Sequence, residues 1–229
     1  NGALENRQWF FPAGSDWMAA IEEKAEANAA AVQPMIDDDS TPTNYYRALK
    51  DISAWATEDA VIIGEGANTM DIGRTQLPNT SPRLRLDAGT YGTMGIGMGF
   101  AIAAATVHPE RPIISVSGDS AIGFSGMELE TACRHNLPIK IVVLNNGGIG
   151  KGIAEFPADA PLPPGVLTIG ARYDKMMEAF GGKGFFIEDP KDLAGALEDA
   201  KAFDGPALVN VVLHPEAGRK PQQFGWLTT

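Results

Sequence analysis

Six short strand-like runs punctuate the chain from residue 60 onward, and most of them do not alternate with polar residues: "AVIIGEG", "LRLDAGTYG", "PIISVSGD", "PIKIVVLNN", "GKGFFIE" and "PALVNVVLH". A strand with one wet face alternates. A continuous apolar run is a strand covered on both sides, as in a parallel sheet. Helical segments accompany these runs: amphipathic "YYRALKDISAWA", the small-residue stretch "MGIGMGFAIAAATV", "SGMELETACRHN", "ARYDKMMEAFG" and "DPKDLAGALEDAKA". The alternation predicts an α/β domain with a doubly wound, mainly parallel six-stranded sheet and helices on both faces.

Upstream, the pattern predicts a helix from Ser15, its N-cap, to Met35, ended by "DDDSTPT". Residues 1–42 thus read as a connector from a preceding domain, 43–214 as the main domain and 215–229 as a polar tail. The opening "NGALENRQWFFPAGSDW" reads as the middle of a longer protein. Between "LNN" and "ARYDK" lies a loop of about 25 residues rich in Pro and Gly, a length that marks function in a compact domain.

Composition narrows the classes. The chain has 229 residues, 44% of them hydrophobic, enough for one large domain. Its formal charge is −11, with no dense Lys/Arg cluster, which argues against a nucleic-acid partner. No apolar run approaches the roughly 18 residues of a membrane span. Cys133 is the sole cysteine, so no intrachain disulfide forms and a reducing, cytoplasmic setting is expected. His108, His135 and His214 fall at predicted element ends, as capping or surface residues. Cys133, in mid-helix, reads as packed.

The chemistry gathers at strand ends. "SGD" and "LNN" each close a predicted strand, about 27 residues apart, which is one strand–helix–strand unit. Ligands of open α/β sheets bind outside the C-terminal ends of the strands. If these strands are neighbours, Asp119 and Asn146 share one crevice. A carboxylate and a neutral amide oxygen suit Mg²⁺, which completes its octahedron with phosphate oxygens and water. Gly147 and Gly148 let the backbone turn a carbonyl toward the ion. Ser120 and Ala121 begin the next helix, where backbone amides favour phosphate. The rival reading is a dinucleotide fingerprint, "GIGMGFA" from Gly95 to Ala101, with Asp119 about 20 residues on as a ribose-binding acid. The preceding "DAGTYGTM" is not a buried strand, which favours the metal–diphosphate reading.

The pair "GDS…NN" resembles the diphosphate-binding signature of thiamine diphosphate enzymes. The run "EGANTMDIGRTQLPNTSPRLRLDAGTYGTMGIGMGFAIAAA" is similar to a narrower group, the 2-hydroxyacyl-CoA lyases and their relative oxalyl-CoA decarboxylase. "YDKMMEAFGGKGFFIEDPKDL" and the tail "GRKPQQFGWLTT" look like the lyase. The resemblance covers almost the whole chain from "WFFPAGSDW" and implies the pyrophosphate-binding domain of a three-domain enzyme, with its connector. The pyrimidine-binding domain, which carries the glutamate that activates the cofactor, is not in this chain. It must come from the same protein or another subunit, in a homodimer or homotetramer.

For individual residues, the resemblance implies that Asp119, Asn146 and the Gly148 carbonyl hold Mg²⁺ and that Ser120 and Ala121 meet the diphosphate. Tyr45, Ala67, Asn68, Gly92, Met94 and Ile149 line the cofactor, with Met94 as the wedge that bends it. Asn28, Arg74, Arg219 and Lys220 are candidates for contact with coenzyme A. Glu155, in the long loop, is the candidate general base for the substrate 2-hydroxyl. Trp226 is the candidate active-site lid. The implied reaction cleaves a 2-hydroxyacyl-CoA to formyl-CoA and an aldehyde or ketone. The alternatives are decarboxylation of oxalyl-CoA and, in another class, a non-catalytic cofactor-binding half that needs a partner chain. One departure stands out: Gly150 replaces the Tyr common after "NNGGI", which is expected to widen the acyl pocket.

Overall fold

The computed structural model describes residues 12–155, 157 and 159–221. The chain divides into two compact units at Asp37/Asp38. The first contains α1 (Asp16–Ile36), whose predicted cap is present: the Ser15 hydroxyl accepts a hydrogen bond from the Met18 amide. Asn28 lies on this helix, no residue of which is buried.

The second unit is built as the apolar runs predict. Its elements are α2 (Tyr45–Trp55), β1 (Val61–Glu65), α3 (Ala67–Gln76), β2 (Arg85–Asp87), α4 (Gly97–Val107), β3 (Ile113–Gly118), α5 (Asp119–Ser125), α6 (Glu128–Arg134), β4 (Lys140–Asn145), α7 (Tyr173–Ala179), β5 (Lys183–Ile187), α8 (Leu193–Ala202) and β6 (Ala207–Val212). The six strands form one sheet in the order β2-β1-β3-β4-β6-β5, and every pairing is parallel. Helix α2 packs on α3 and α8, and α4 packs on α5 and α6, with α7 against α6, so both faces are covered. Both faces being dry explains why β3 and β4 are buried at every residue and show no alternation. Ile63, Ile113, Ile141, Val143 and Leu208 meet Met98, Ile122, Leu129 and Met177 in the core. Each such burial contributes about 1.5–3 kcal/mol.

Three details depart from the sequence expectation. Helix α3 carries no long apolar stripe; it buries only Thr69, Ile72 and Gly73. Its C-terminal end is satisfied from β2, because the Arg85 guanidinium donates to the Arg74, Leu77 and Pro78 carbonyls. The helix expected over "SGMELETACRHN" forms from Glu128 as α6, and a separate short helix, α5, precedes it, with the chain interrupted at Gly126 and Met127. The sheet is wholly parallel rather than mainly so. The histidines fall at element ends as expected, with His108 and His135 at the C-caps of α4 and α6.

At the opposite end of the sheet from the crevice, the Lys140 ammonium donates to the Phe203 and Gly205 carbonyls at 2.7 Å each. Burial pulls its pKa down from the ordinary 10.5 to about 8. Between those values the unfolded chain holds a proton that the folded chain has lost, so raising the pH favours folding. Stability to urea should therefore climb from about pH 8 toward pH 10. In Lys140→Met the climb should disappear, even though that variant is less stable because two carbonyls lose their donor. An unchanged slope in the variant would assign the effect to another group.

Candidate metal centre and cofactor crevice

The chain leaves β1 toward β2 on one side of the sheet and β3 toward β4 on the other. The switch point therefore lies between β1 and β3, which is where open α/β sheets open a crevice. Gly66 follows β1 with φ +109°, and a Cβ there would press on the Gly118 amide at 3.3 Å and Ala121 at 3.5 Å. Only glycine lets the end of β1 approach the end of β3 so closely.

Asp119 follows β3 directly and is 3% exposed. One oxygen accepts the Ser120 amide at 2.7 Å; the other accepts the amides of Gly147 at 2.7 Å and Gly148 at 3.2 Å. Burial pushes its carboxyl above the usual range, against the pull of these three donors. Among the described residues no cation pairs with it. Three of a carboxylate's roughly four lone-pair directions are occupied, so one remains for a metal.

Neighbouring β4 supplies the partner loop, since Gly118 pairs in register with Leu144. The two asparagines that end β4 divide the work. Asn145 points into the sheet, donating to the Ala171 carbonyl and the Asn210 amide oxygen while accepting from Gly147. Asn146, 2% exposed, donates to the Gly150 carbonyl at 3.1 Å, which leaves Oδ1 as its acceptor. Gly148 cannot be anything else: a Cβ would overlap the Lys151 carbonyl group and lie 2.8 Å from the Gly152 Cα.

Magnesium and thiamine diphosphate fit this donor set. One buried carboxylate, one amide oxygen and a glycine-rich turn make a hard, incomplete shell, which suits an ion that keeps phosphate and water ligands. Among the described residues no cluster of three His, Cys, Asp or Glu is placed to hold a metal by itself.

The other expected residues sort into several groups. Tyr45 is buried, and its hydroxyl is pushed well up by burial first and then by the Asp119 charge, with Asn68 pulling the other way. Tyr173, which sequence reasoning missed, is pushed up to about 12 by the same two causes. Two tyrosines thus lie within the field of Asp119. Asn68 donates to the Gly150 carbonyl at 2.8 Å, so that one carbonyl receives both Asn68 and Asn146. Gly150 has φ +77°, which disfavours any side chain; the departure from Tyr is a backbone device as well as a lost hydroxyl. Ala67 and Ile149 are exposed, as are Gly92 and Met94 on the loop before α4.

At the start of α5 the Ser120 amide donates to Asp119, and Ala121 is wholly buried beneath Gly66 and Gly118. The dinucleotide alternative, disfavoured by the sequence, finds no support here, because α4 begins at Gly97 after a loop and not directly after a strand.

Of the coenzyme A candidates, Arg74 makes a two-pronged bond to Asp87 at 2.8 and 2.9 Å, holding that carboxyl below the usual range. Arg219 pairs with Asp71 at 2.9 Å, and Arg74 lies 3.9 Å from the same Asp71. The fold thus gathers two guanidiniums from segments 145 positions apart. Lys220 donates its backbone amide to the Tyr46 hydroxyl, which ties the described part of the tail to α2. Glu155 is exposed on the long loop, without a hydrogen bond or ion pair to another described residue. Trp226 lies outside the described residues. Sequence reasoning missed Glu65: it ends β1, is fully buried and accepts the Gly95 and Gly97 amides. Nothing local in "GEG" signals these bonds, which span 30 and 32 residues.

Comparison with known proteins agrees with this geometry. The chain is 46% identical over 239 residues to human "2-hydroxyacyl-CoA lyase 1", which covers 98% of this chain and 41% of that protein. It is 40% identical over 229 residues to the "2-hydroxyacyl-CoA lyase" of Oryza sativa subsp. japonica, covering 95% of this chain and 40% of the relative. It is 43% identical over 206 residues to "Oxalyl-CoA decarboxylase" of Escherichia coli (strain K12), covering 88% and 36%. The chain thus spans about two fifths of the length of the curated relatives it matches. Among solved structures, the Rhodococcus jostii RHA1 thiamine diphosphate-dependent 4-hydroxybenzoylformate decarboxylase shares the fold, with TM-score 0.64 and 23% identity over 75% of this chain and 32% of that one. The family described as "Thiamine pyrophosphate enzyme, C-terminal TPP binding domain" matches residues 64–211, the stretch from the end of β1 to β6 that builds the crevice. The chain belongs to the thiamine pyrophosphate enzymes, as their C-terminal TPP-binding domain.

Proposed function

We propose that this domain is the diphosphate- and Mg²⁺-holding half of a 2-hydroxyacyl-CoA lyase. That enzyme would cleave the bond between C1 and C2 of its substrate to give formyl-CoA and an aldehyde or ketone. The observation that carries the reading is the buried Asp119 carboxylate, without a cation partner among the described residues, facing the Asn146–Gly148 turn across adjacent strand ends. The lyase is favoured over oxalyl-CoA decarboxylase by the higher identity and coverage of the human lyase match.

Thiamine diphosphate, when bound, supplies a carbanion that adds to the acyl carbonyl. The residues of this chain hold and orient. Asp119, Asn146 Oδ1 and the Gly148 carbonyl would take the cation, and Met94, on the loop before α4, is the proposed wedge for the thiamine ring. Arg74 and Arg219, gathered at Asp71 and balanced by Asp71 and Asp87, are the guanidiniums that would exchange a carboxylate for a coenzyme A phosphate. The proton of the substrate 2-hydroxyl must leave as the carbon–carbon bond breaks and finish on the formyl carbon. Glu155, exposed on the long loop, is the proposed base for that hydroxyl. Glu155→Gln should lower kcat for 2-hydroxyacyl-CoA cleavage on the order of 10²-fold or more while sparing cofactor affinity. Unchanged turnover in stopped-flow or steady-state assays would remove it from the mechanism.

The activating glutamate and the other wall of the site come from a partner domain. Support for such a partner is the exposed apolar ground beside the Met94 loop: Tyr91 is 96% exposed, and Phe124, which a Cβ on Gly95 would meet at 3.4 Å, is 67% exposed. Apolar ground of this kind marks an interaction surface, and a homodimer or homotetramer would cover it. The test is product analysis of the full-length protein with thiamine diphosphate, Mg²⁺ and either several 2-hydroxyacyl-CoAs or oxalyl-CoA. Formyl-CoA with an aldehyde or ketone supports the lyase. Carbon dioxide from oxalyl-CoA alone would replace it by the decarboxylase, and no product from any substrate would leave a binding half.

A further inference from the structure

Glu65 is 0% exposed, yet among the described residues it has no ion pair. A carboxylate without a cation in such a place is costly unless hydrogen bonds hold its charge. Its two oxygens face one short segment. Oε1 accepts the Gly95 amide, and Oε2 accepts the Gly97 amide at 2.8 Å. Gly97 is the first residue of α4, and Ile96 before it offers no capping side chain. Glu65 therefore caps α4 from a different strand, a task that Ser or Asp at position 96 would perform locally at lower cost. What a local cap would not do is fix the loop as well as the helix.

That loop needs fixing. Gly89, Gly92 and Gly95 all have positive φ, at +59°, +62° and +86°, so the segment between β2 and α4 is built from residues with wide conformational freedom. Met94 sits between the last two of them, partly exposed at 36%. The contact is also close. A Cβ on Gly97 would overlap the Glu65 carboxylate and lie 3.2 Å from its Cβ. Meanwhile Gly66, next to Glu65, is pressed on Gly118 and Ala121 at the start of the Asp119 segment. One side chain thus links the strand that borders the diphosphate site to the residues that flank Met94.

We infer that Glu65 is a positioning residue: its buried carboxylate clamps the Gly95 and Gly97 amides and so sets Met94 at the height where it meets the thiamine ring. This deepens the proposed function and rests on its placement of Met94 beside the cofactor. Glu65→Gln keeps the shape and one acceptor but turns an N–H donor toward an N–H donor. In the full-length protein it should lower kcat by on the order of tenfold to hundredfold, the size of losing a hydrogen bond to a charged group. KM for the acyl-CoA should stay near wild type.

A residue that acts only on stability would lower turnover equally in any background, so the deciding readout is a double-mutant cycle with Met94→Ala. Glu65→Gln should change kcat little once Met94 is gone. Equal losses in both backgrounds, or wild-type kcat in the single variant, would overturn the inference. Gly97→Ala provides a second route if Glu65→Gln does not fold, because it displaces the carboxylate from the other side while leaving Glu65 intact. It should show the same kcat loss and the same dependence on Met94, and wild-type kcat there would also overturn the inference. Titration of the wild-type protein with thiamine diphosphate and Mg²⁺ separates the two levels. No binding there would sink the cofactor reading and this inference with it. Binding without the Glu65–Met94 coupling would sink the inference alone.

Discussion

Asp119→Ala should abolish Mg²⁺-dependent binding of thiamine diphosphate while leaving the sheet folded. The carboxylate supplies the sole formal negative charge of the proposed donor set, and its bonds from the Gly147 and Gly148 amides tie α5 to the turn after β4. Removing it deletes a ligand and releases the Gly147 and Gly148 amides together. Loss of an outer partner of a metal ligand costs roughly 10–100-fold in affinity, and loss of the ligand itself should exceed that. Isothermal titration of the full-length protein with cofactor and Mg²⁺ measures it. Asp119→Asn is the sharper control: it keeps the shape, retains an acceptor for part of the amide set and loses the charge. Should the alanine variant bind the cofactor with wild-type affinity, the metal assignment fails.

The second large effect is expected from the smallest change, Gly148→Ala. The added methyl would overlap the Lys151 carbonyl group, and the Gly152 Cα lies 2.8 Å away. These are backbone atoms and cannot rotate aside, so the turn itself must move. Overpacking of this kind costs about 1–3 kcal/mol, a tolerable loss for a sheet of six paired strands. The functional loss should be larger, because the turn carries the carbonyl proposed to face the ion. Cofactor affinity should fall by an order of magnitude or more while the circular dichroism of the fold is retained. Gly147→Ala is the comparison. Its Cβ meets nothing within 4 Å, and only its φ of +73° is strained, so its effect should be smaller. The opposite ranking would show that strain, rather than the placement of the turn, governs the site.

Much of this was readable from the residues, for a physical reason. Inner parallel strands such as β3 and β4, dry on both faces, leave apolar runs that no polar alternation disguises, so the strands and the helices α4, α7 and α8 were visible. Strand ends close to one another in sequence made Asp119 and Asn146 a pair before any coordinates. What escaped depends on contacts that sequence spacing does not encode. Helix α3 has little apolar periodicity and leans on Arg85 from β2 for its terminal carbonyls. Glu65 bonds to residues 30 and 32 positions away, in a stretch whose glycines read equally well as helix packing. Asn145 and Asn146 are chemically identical, and only the strand's pleat decides that one braces Asn210 while the other faces the crevice. The first turn of α5 was equally hidden: Asp119 folds back on the Ser120 amide, and glycine-permitted crowding buries Ala121. The meeting of Arg74 and Arg219 at Asp71 spans almost two thirds of the chain and is a product of the closed fold alone.

The central claim is that the ends of β3 and β4 hold the cation that anchors thiamine diphosphate. It is tested most directly by a crystal structure of the full-length protein grown with thiamine diphosphate and Mn²⁺, with the metal located by its anomalous scattering. The expected result is a single peak bonded to an Asp119 oxygen, Asn146 Oδ1 and the Gly148 carbonyl, with phosphate oxygens completing the shell. A metal–diphosphate group bound elsewhere, with Asp119 still engaged only by the Ser120, Gly147 and Gly148 amides, would contradict it.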